Sequence, residues 1–239
     1  MSGNDPCRTQ LIAMHGWGGD SRSWDPWAAP VAERGWRFER GERGYGQLPP
    51  HLPDWDPTSQ RRIVLAHSLG PHLLPAPLWR QATAAVLLSS FSVFVPPGRS
   101  GRAVSAGLRG MAAQLEAGEA ATQAMLRQFR HKVADPLPES RLPAGPLAQG
   151  IPPEGRRRLQ EDLALLASCA GLPPGFPIGI PVLLVEAQDD QIVTPESRAL
   201  LRQALPQATV WSLEPAGHAL LATDGLPSAV LEWMADGPH

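Results

Sequence analysis

Short apolar runs recur in both end portions of the 239-residue chain and predict the strands of one sheet. A helix-length segment follows most of them, which favours a mainly parallel sheet with helices on both faces. Continuous rather than alternating apolar residues are typical of strands that are buried on both sides. The runs occupy residues 9–14, 63–66, 84–89, 182–186 and 209–213, with a weaker candidate at 36–40.

The middle of the chain has a different pattern. Residues 92–179 contain no convincing strand, and leucine, methionine and phenylalanine recur there at spacings of three and four, which predicts helices. We therefore predict a sheet domain formed by residues 1–91 and 178–239, and an inserted helical cap formed by residues 92–177. The predicted cap helices span 104–115, 119–133 and 156–169, and the apolar cap residues expected to pack onto the sheet domain are Leu108, Met111, Leu115, Met125, Leu126 and Phe129.

The chain has 27 prolines, and several modify these elements. Pro26 and Pro30 are expected to break a helix at residues 24–32. Four prolines within 47–59 predict a loop where a crossover helix would otherwise be expected. Pro71 fits the first turn of the helix after residue 68, where its missing N–H costs little.

The segment 61–71 is the centre of the sequence-based interpretation. A buried strand ends in small residues around Ser68, and a helical segment follows at once. A serine at such a strand-to-helix turn projects its hydroxyl outward and can act as a nucleophile. Small residues two positions before and after it, here Ala66 and Gly70, let the strand and helix approach each other closely.

A serine nucleophile needs a nearby base, and that base needs an acid to orient it. His218 follows the last predicted strand, and Asp189 and Asp190 follow the strand at 182–186. All of these positions lie at the carboxyl edge of a parallel sheet, where open α/β sheets place their sites. The backbone N–H groups of Leu69 and Trp17 are candidates to bind a developing oxyanion.

The remaining histidines suggest structural roles. We expect His15 to brace its glycine-rich loop and His67 to be packed or hydrogen-bonded beside the nucleophile. The sequence identifies no partner for His51, His72, His131 or His239. The eight tryptophans are expected mainly in the core or at packed surfaces, while the ring of Trp17 is a candidate wall for an acyl pocket.

Five short motifs occur in a fixed order along the chain: His15-Gly16-Trp17-Gly18-Gly19, Arg43-Gly44-Tyr45-Gly46, His67-Ser68-Leu69-Gly70, Asp190-Gln191-Ile192-Val193 and Gly217-His218. This series resembles the α/β-hydrolase superfamily over nearly the whole chain. The H-G-W-G loop, the Ser-Leu-Gly turn, the run at 125–130 and the arginine-containing helical cap are most similar to the pimeloyl-ACP methyl ester carboxylesterases of biotin synthesis.

The resemblance implies an α/β-hydrolase fold and gives each candidate residue a role. Ser68 would be the nucleophile, His218 the base and Asp190 the orienting acid, with oxyanion donors from Trp17 and Leu69. It favours Asp190 over Asp189 because the family's acid usually stands directly before a segment like 191–195.

The sequence departs from the family pattern in three places. Ala66 replaces the first glycine of the serine turn, and Pro71 replaces a common second glycine. Only eight residues precede the first predicted strand, so the leading strand pair that is common in the fold is expected to be absent or very short.

Composition excludes several classes of function. A net charge of −2 gives no global attraction to nucleic acid, and no apolar run reaches the length of a membrane span. The polar first nine residues resemble no secretory signal, and Cys7 and Cys169 are expected to be free thiols in a reducing cytoplasm. No cluster has metal-ligand spacing, so we expect neither metal nor cofactor, and we expect a monomer.

Charge is unevenly distributed between the two parts. Residues 95–170 hold ten Arg and Lys against seven Asp and Glu, a net charge of +3, whereas the remaining residues carry −5. Because acyl carrier proteins are acidic, this surface could orient a carrier-bound substrate, although such arginines are more commonly a solvated helix face. The cap arginines considered for docking are Arg127, Arg130 and Arg156, together with Arg157 and Arg158.

These features predict a serine carboxylesterase that hydrolyses the methyl ester of pimeloyl-ACP. Two alternatives remain open at this point. One is a broad esterase, lactonase or thioesterase that acts on free small molecules. The other is a non-catalytic binding protein that retains the fold and an altered serine turn.

Overall fold

The structure, a computed structural model, describes residues 9–236 and contains one sheet of six strands in that range. The strand order is β2-β1-β3-β4-β5-β6, and all neighbouring strands are parallel. All six predicted strands are confirmed, including the weak candidate near residue 36. Their bounds are β1 Thr9–Met14, β2 Arg37–Arg40, β3 Arg61–His67, β4 Ala84–Leu88, β5 Val182–Ala187 and β6 Thr209–Leu213.

Helices cover both faces of this sheet. One face packs against α1 (Asp25–Glu33) and α8 (Leu226–Asp236), and the other packs against α2 (Gly70–Leu73), α3 (Ala76–Trp79) and α7 (Pro195–Ala204). Successive residues of a strand point to opposite faces, so a strand covered on both sides needs apolar residues throughout. This explains the continuous apolar runs of β1, β3, β4 and β5.

The prediction that Thr209–Leu213 is a fully buried strand is wrong. β6 lies at the edge of the sheet, its residues alternate between half-buried and exposed, and the side chain of Val210 is 40% exposed. Trp211 and Leu213 pack towards the α1 and α8 side, while the alternate residues face solvent. An edge strand with only one covered face needs apolar residues at every second position only.

The expected break of the helix at residues 24–32 is also wrong. Asp20 caps a 3-10 helix, Ser21–Trp24, and α1 then continues without interruption from Asp25 to Glu33. Pro26 stands in the first turn of α1. Pro30 lies within it, and the N–H that it lacks would have bonded the carbonyl of Pro26 only, so the helix loses one bond and continues.

The predicted loop between β2 and β3 is confirmed. A tryptophan of this loop packs on the face of the sheet that a crossover helix would otherwise cover. Residues 41–60 contain no helix, and their ordered pairing is an isolated bridge between Glu42 and His51. Trp55 inserts into the apolar cluster on the α2 and α3 side, where its indole Nε1–H donates to the carbonyl of Leu78 at 2.9 Å. One buried aromatic side chain thus covers sheet surface that a helix would otherwise occupy.

Three helices follow β4 before the chain returns to β5. They are α4 (Gly98–Glu116), α5 (Glu119–Ala134) and α6 (Pro153–Ser168), which agree with the predicted cap helices to within a few residues at most ends. An antiparallel bridge joins Val93 to Ala170, so the segments before and after these three helices lie side by side. Short 3-10 helices occur at Glu139–Arg141, Pro146–Gln149 and Leu220–Ala222.

A third apolar cluster joins the cap to the sheet domain. Cap residues contribute most of it, and the loops at the carboxyl edge of the sheet contribute the rest. Of the six cap residues predicted to pack onto the sheet domain, four are buried in the cluster, and Met111 and Phe129 are partly buried against it. The buried residues from the sheet domain are Trp17, Tyr45, Leu69, Phe91 and Val193.

The strand order creates a switch point between β1 and β3. From β1 the chain moves to β2 on one side, and it then crosses back to β3 on the other side of β1. Loops leaving adjacent strands in opposite directions open a crevice at the carboxyl ends of those strands. The glycine-rich loop (residues 15–19) follows β1 and Ser68 follows β3, so both lie at this crevice. In the part of the chain that the structure describes, no helix is long and apolar enough to cross a bilayer.

The packing at this crevice gives a test based on glycine. A Cβ added to Gly70 would collide with the backbone carbonyl of Met14, whereas one added to Gly110, on the exposed side of α4, would meet nothing within 4 Å. We expect Gly70→Ala to lower the free energy of unfolding by at least about 2 kcal/mol through overpacking. The matched change Gly110→Ala should raise it by about 0.5–1 kcal/mol. Urea denaturation measures both, and equal effects would contradict the described approach of α2 to β1.

Candidate active site

Ser68 occupies a strained turn between β3 and α2. Its φ is 55°, in the left-handed region that non-glycine residues rarely adopt. Its N–H donates to the carbonyl of Leu88 at 2.9 Å, and its own carbonyl accepts from the Ser90 hydroxyl at 2.8 Å. A backbone strain of about 1–3 kcal/mol persists only where its surroundings enforce it. Here the end of β4 holds both polar groups of the serine backbone.

Small residues surround this turn. A Cβ at Gly16 would lie 2.8 Å from the Ser68 Cβ, so the glycine-rich loop touches the serine directly. Ala66, the departure from the family pattern, is fully buried on β3 between Met14 of β1 and Leu87 of β4. The alanine methyl is therefore accommodated within the sheet packing.

His218 and Asp190 form a buried pair at the same edge of the sheet. The His218 Nδ1–H donates to Asp190 Oδ2 at 2.9 Å. Asp190 Oδ1 accepts two backbone N–H bonds, from Ile192 at 2.8 Å and from Val193 at 2.9 Å. Because a carboxylate can only accept, this bond places the histidine proton on Nδ1 and leaves Nε2 as the basic nitrogen.

The environment keeps Asp190 ionised. Burial alone would raise its pKa, but the charge of His218, the bond to that ring and the two backbone N–H groups together hold the pKa below its ordinary value. Asp189 is exposed, and its backbone N–H donates to the carbonyl of Ala216. Of the two adjacent aspartates, Asp190 is thus the one that contacts His218.

Ser68 and His218 line one cavity, which we call the Ser68 cavity. Its volume is about 100 Å³. The glycine-rich loop forms one side, α5 forms the roof with Leu126, Phe129 and Val133, and the cap loop at residues 142–147 forms a further wall. The lining is predominantly apolar, with a few polar groups at the Ser68 end, as is usual for sites that bind small organic molecules.

Two backbone donors near Ser68 are available to an anion. Trp17 and Leu69 are buried, with 6% and 0% of their surface exposed. Within residues 9–236 neither of their backbone N–H groups donates to a protein atom. Buried N–H groups without a partner are rare because each costs free energy. The two N–H groups therefore remain candidate donors for an oxyanion that develops at a carbonyl attacked by Ser68.

His15 braces the glycine-rich loop, as predicted. Its Nδ1–H donates to the carbonyl of Gly16 at 2.8 Å, and its Nε2 accepts from the backbone N–H of Arg43 at 3.1 Å. Glu42 strengthens the same corner by accepting backbone N–H bonds from Ser21 and Gly44. The loop that carries Trp17 is therefore fixed from two sides.

A buried network, which the sequence analysis missed, ties the cap to this loop region. Asp162 of α6 is buried and accepts bonds from Arg43 at 2.6 and 2.8 Å and from the Tyr45 hydroxyl at 2.6 Å. The indole Nε1–H of Trp17 donates to the carbonyl of Leu159, also on α6. Burial, followed by the charge of Asp162, raises the pKa of Tyr45 well above its usual value, so Tyr45 stays a donor.

His67 positions the backbone of His218. It was predicted to be packed or hydrogen-bonded, and its Nε2–H donates to the His218 carbonyl at 2.9 Å while the two ring centroids lie 4.8 Å apart. Burial, followed by the charge of His218, lowers the pKa of His67 to about 3. His67 therefore stays neutral beside the candidate base, a contact that the sequence alone could not reveal.

Three other histidines have partners that the sequence did not identify. Each lies against a residue from another part of the fold: His51 against Glu39 at 3.0 Å, His131 against Glu139 at 3.2 Å, and His72 against the Phe91 carbonyl at 3.1 Å. His239 and Cys7 lie outside the described residues. Cys169 is a buried free thiol whose pKa burial raises to about 11. Among residues 9–236, no group of three or more His, Cys, Asp or Glu could hold a metal ion.

The cap arginines differ in their ion pairs and in their exposure to solvent. Arg157 pairs with Glu154 and Glu161 on the exposed face of α6. Arg158 contacts Glu154 and the carbonyl of Gly44. The other three arginines differ in exposure: Arg127 is exposed, Arg156 is half-buried, and Arg130 lines the Ser68 cavity.

Comparison by sequence yields no matching family model and no matching curated protein. Solved structures do match over almost the full length. An esterase from Exiguobacterium antarcticum has a TM-score of 0.69 at 15% identity and covers 96% of this chain and 92% of that one. MenH from S. aureus has a TM-score of 0.68 at 12% identity, with 98% and 96% covered. An alpha/beta hydrolase fold protein from Burkholderia ambifaria has a TM-score of 0.63 at 19% identity, with 96% and 90% covered.

The chain has the α/β-hydrolase fold. The likeness to these structures concerns the fold, because the sequence identities are low. This fold places Ser68, Asp190 and His218 after three different strands, at one edge of the sheet.

The buried His67 gives a prediction for stability. The unfolded chain binds a proton at this histidine near its ordinary pKa of 6.5, whereas the folded chain does so only near 3. The unfolded state therefore binds more protons between these values, and stability falls as the pH drops below 6.5. At pH 5 this single group should cost about 2 kcal/mol relative to pH 7.5.

Replacing the imidazole tests that assignment. His67→Gln keeps an N–H donor for the His218 carbonyl but has no titrating group. Urea denaturation at pH 5 and pH 7.5 should show a smaller pH dependence in the variant than in the wild type, by about 2 kcal/mol. An unchanged pH dependence would refute the assignment of a buried neutral histidine.

Proposed function

We propose that this protein is a serine hydrolase that cleaves carboxylic esters by two-step acyl transfer to water. The observation that carries the proposal is the buried Asp190–His218 pair at the cavity that Ser68 lines from its strained turn. A carboxylate that fixes the tautomer of a histidine, at a cavity that a serine also lines, is the arrangement from which that serine can be activated.

In the first step Ser68 Oγ attacks the ester carbonyl, and His218 Nε2 accepts the hydroxyl proton. The negative charge that develops on the carbonyl oxygen is bound by the N–H groups of Trp17 and Leu69. When the tetrahedral intermediate collapses, the C–O bond to the alcohol breaks, and His218 returns its proton to the leaving alkoxide oxygen. The acyl group then remains on Ser68.

In the second step water attacks the acyl-enzyme, and His218 accepts its proton. Collapse of the second intermediate releases the carboxylic acid and restores the Ser68 hydroxyl. Asp190 stays ionised throughout and stabilises the imidazolium formed in each step. The apolar lining provided by Leu126, Phe129 and Val133 suits the hydrocarbon part of an acyl chain.

We further propose the methyl ester of pimeloyl-ACP as the specific substrate. The motif resemblance supports it, as does the net positive charge of the cap. Arg127 is exposed and Arg156 half-buried, and neither forms an ion pair within residues 9–236. Their charge is available to attract an acidic carrier protein.

A second candidate function is hydrolysis of free small esters without a carrier. The ion pairs of Arg157 and Arg158 with Glu154 favour it, because they neutralise part of the charge on which carrier docking would depend. A non-catalytic role is less well supported, since a relic would have little reason to retain the strained Ser68 turn and the Asp190–His218 bond together.

Rates of hydrolysis of pimeloyl-ACP methyl ester and of p-nitrophenyl butyrate distinguish a carrier-dependent esterase from an esterase that acts on free small esters. Arg127→Glu with Arg156→Glu should lower kcat/KM for the carrier ester at least 10-fold and leave the small ester unchanged. Arg80→Glu, a single charge reversal on an exposed residue of the sheet domain, is the control for each cap reversal made singly. Cleavage of the small ester only would eliminate the carrier-dependent substrate, and retention of activity in Ser68→Ala would eliminate the mechanism.

The adjacent aspartates provide a matched pair for the mechanism itself. Asp190→Asn should lower kcat about 10⁴-fold, because an amide cannot hold His218 in the required tautomer with the same charge. Asp189→Asn, one residue away and exposed, should change kcat less than about 3-fold. Steady-state kinetics with p-nitrophenyl butyrate measures both. Similar losses in the two variants would argue against Asp190 as the orienting acid.

A further inference from the structure

The Ser68 cavity contains one fixed positive charge. Among residues 9–236, Arg130 near the end of α5 is the only arginine or lysine that lines it, and no aspartate or glutamate does. A guanidinium is a positively charged group with donors and no acceptor. The cavity therefore combines an apolar wall with a permanent cation.

Arg130 is held in place without a counterion. Its Nη2 donates to the carbonyl of Pro143 at 3.0 Å and lies 3.4 Å from that of Leu142. Within the range 9–236 Arg130 forms no ion pair, and its Nε and Nη1 donate to no protein atom. The arginines Arg43 and Arg157, in contrast, are neutralised by carboxylates.

Gly145 lies beside Nη1 of Arg130. A Cβ at Gly145 would lie 3.2 Å from Nη1, so any other residue there would crowd this side of the guanidinium. Arg130 is half-buried next to apolar surface, so a ligand that covers it would remove water from its charge. An anionic ligand would compensate for that loss by forming charge-assisted hydrogen bonds with the guanidinium. The fork of N–H donors matches carboxylate and phosphate oxygens, which it can bind in a bidentate manner.

We propose that Arg130 binds an anionic group carried by the acyl part of the substrate, at a distance from the ester that Ser68 attacks. This inference rests on the proposed esterase function and narrows its substrate class to esters with an acidic acyl part. A free carboxylate and the phosphate of a carrier's phosphopantetheine arm share this chemistry. Arg130 would then determine specificity from within the cavity, apart from any docking by the exposed cap arginines.

Paired substrates that differ only in charge test the proposal. The first pair is monomethyl pimelate and its neutral amide analogue, methyl 6-carbamoylhexanoate. The second is the methyl-pimeloyl thioester of 4′-phosphopantetheine and that of pantetheine. The first pair tests a carboxylate and the second tests a phosphate. The substrate pair whose kcat/KM depends on Arg130 therefore identifies the anion that it binds.

We expect Arg130→Met to lower kcat/KM for the anionic member of one pair by about 10- to 100-fold, the range for loss of a hydrogen bond to a charged group. The neutral member should change less than about 3-fold. Arg130→Lys should restore part of the preference, because it keeps the charge but not the fork. Arg109→Met, which removes an exposed arginine of α4, is the control and should alter neither member.

A binding measurement separates this inference from the esterase proposal. In calorimetry, Ser68→Ala should bind the anionic ester of the responding pair more tightly than its neutral partner. The double variant Ser68→Ala/Arg130→Met should bind the two esters with equal affinity. Arg130-dependent binding without turnover in the wild type would overturn the esterase function but support the anion site. Equal binding of both members by Ser68→Ala, or an equal loss for both members on replacing Arg130, would overturn the anion site.

Discussion

The positive φ of Ser68 is the constraint on which the site depends. The serine keeps this conformation because the end of β4 binds its N–H and its carbonyl, and because Gly16 and Gly70 let the turn press against the end of β1. The same approach brings the glycine-rich loop, and with it the N–H of Trp17, next to the serine. The strained residue and the position of the glycine-rich loop therefore both depend on one close contact.

Two further contacts connect this centre to the rest of the chain. The bond between His67 and the carbonyl of His218 joins the residue before the serine to the candidate base, which is 151 residues away in sequence. The Arg43–Asp162 pair joins the β2–β3 loop to the cap. Asp162 is the buried member of this pair, so removal of Arg43 would leave a buried carboxylate without its cation and would weaken the hold of α6 on the loop.

Much of this arrangement could be predicted from the sequence, since apolar runs define strands and parallel strands place their following loops at one edge. The positions of Ser68, Asp190 and His218 after three such strands followed from that rule. The partners of His67 and Asp162 did not, because each pairs with a segment that is remote in sequence. The loop that binds Arg130 is near in sequence but carries no local pattern. The edge position of β6 was missed because it depends on tertiary packing, and the continuous α1 was missed because the helix tolerates the loss of the one bond that Pro30 removes. The catalytic roles remain predictions, supported by the geometry of the site.

The central claim is that Ser68 is an activated nucleophile, and covalent labelling tests it most directly. The protein would be incubated with a fluorophosphonate and the adduct located by peptide mass spectrometry. We expect one adduct per chain, on Ser68, absent in Ser68→Ala and formed far more slowly in His218→Gln, because the imidazole must accept the hydroxyl proton. An unlabelled wild-type protein, or an adduct on another serine that persists in Ser68→Ala, would contradict the account.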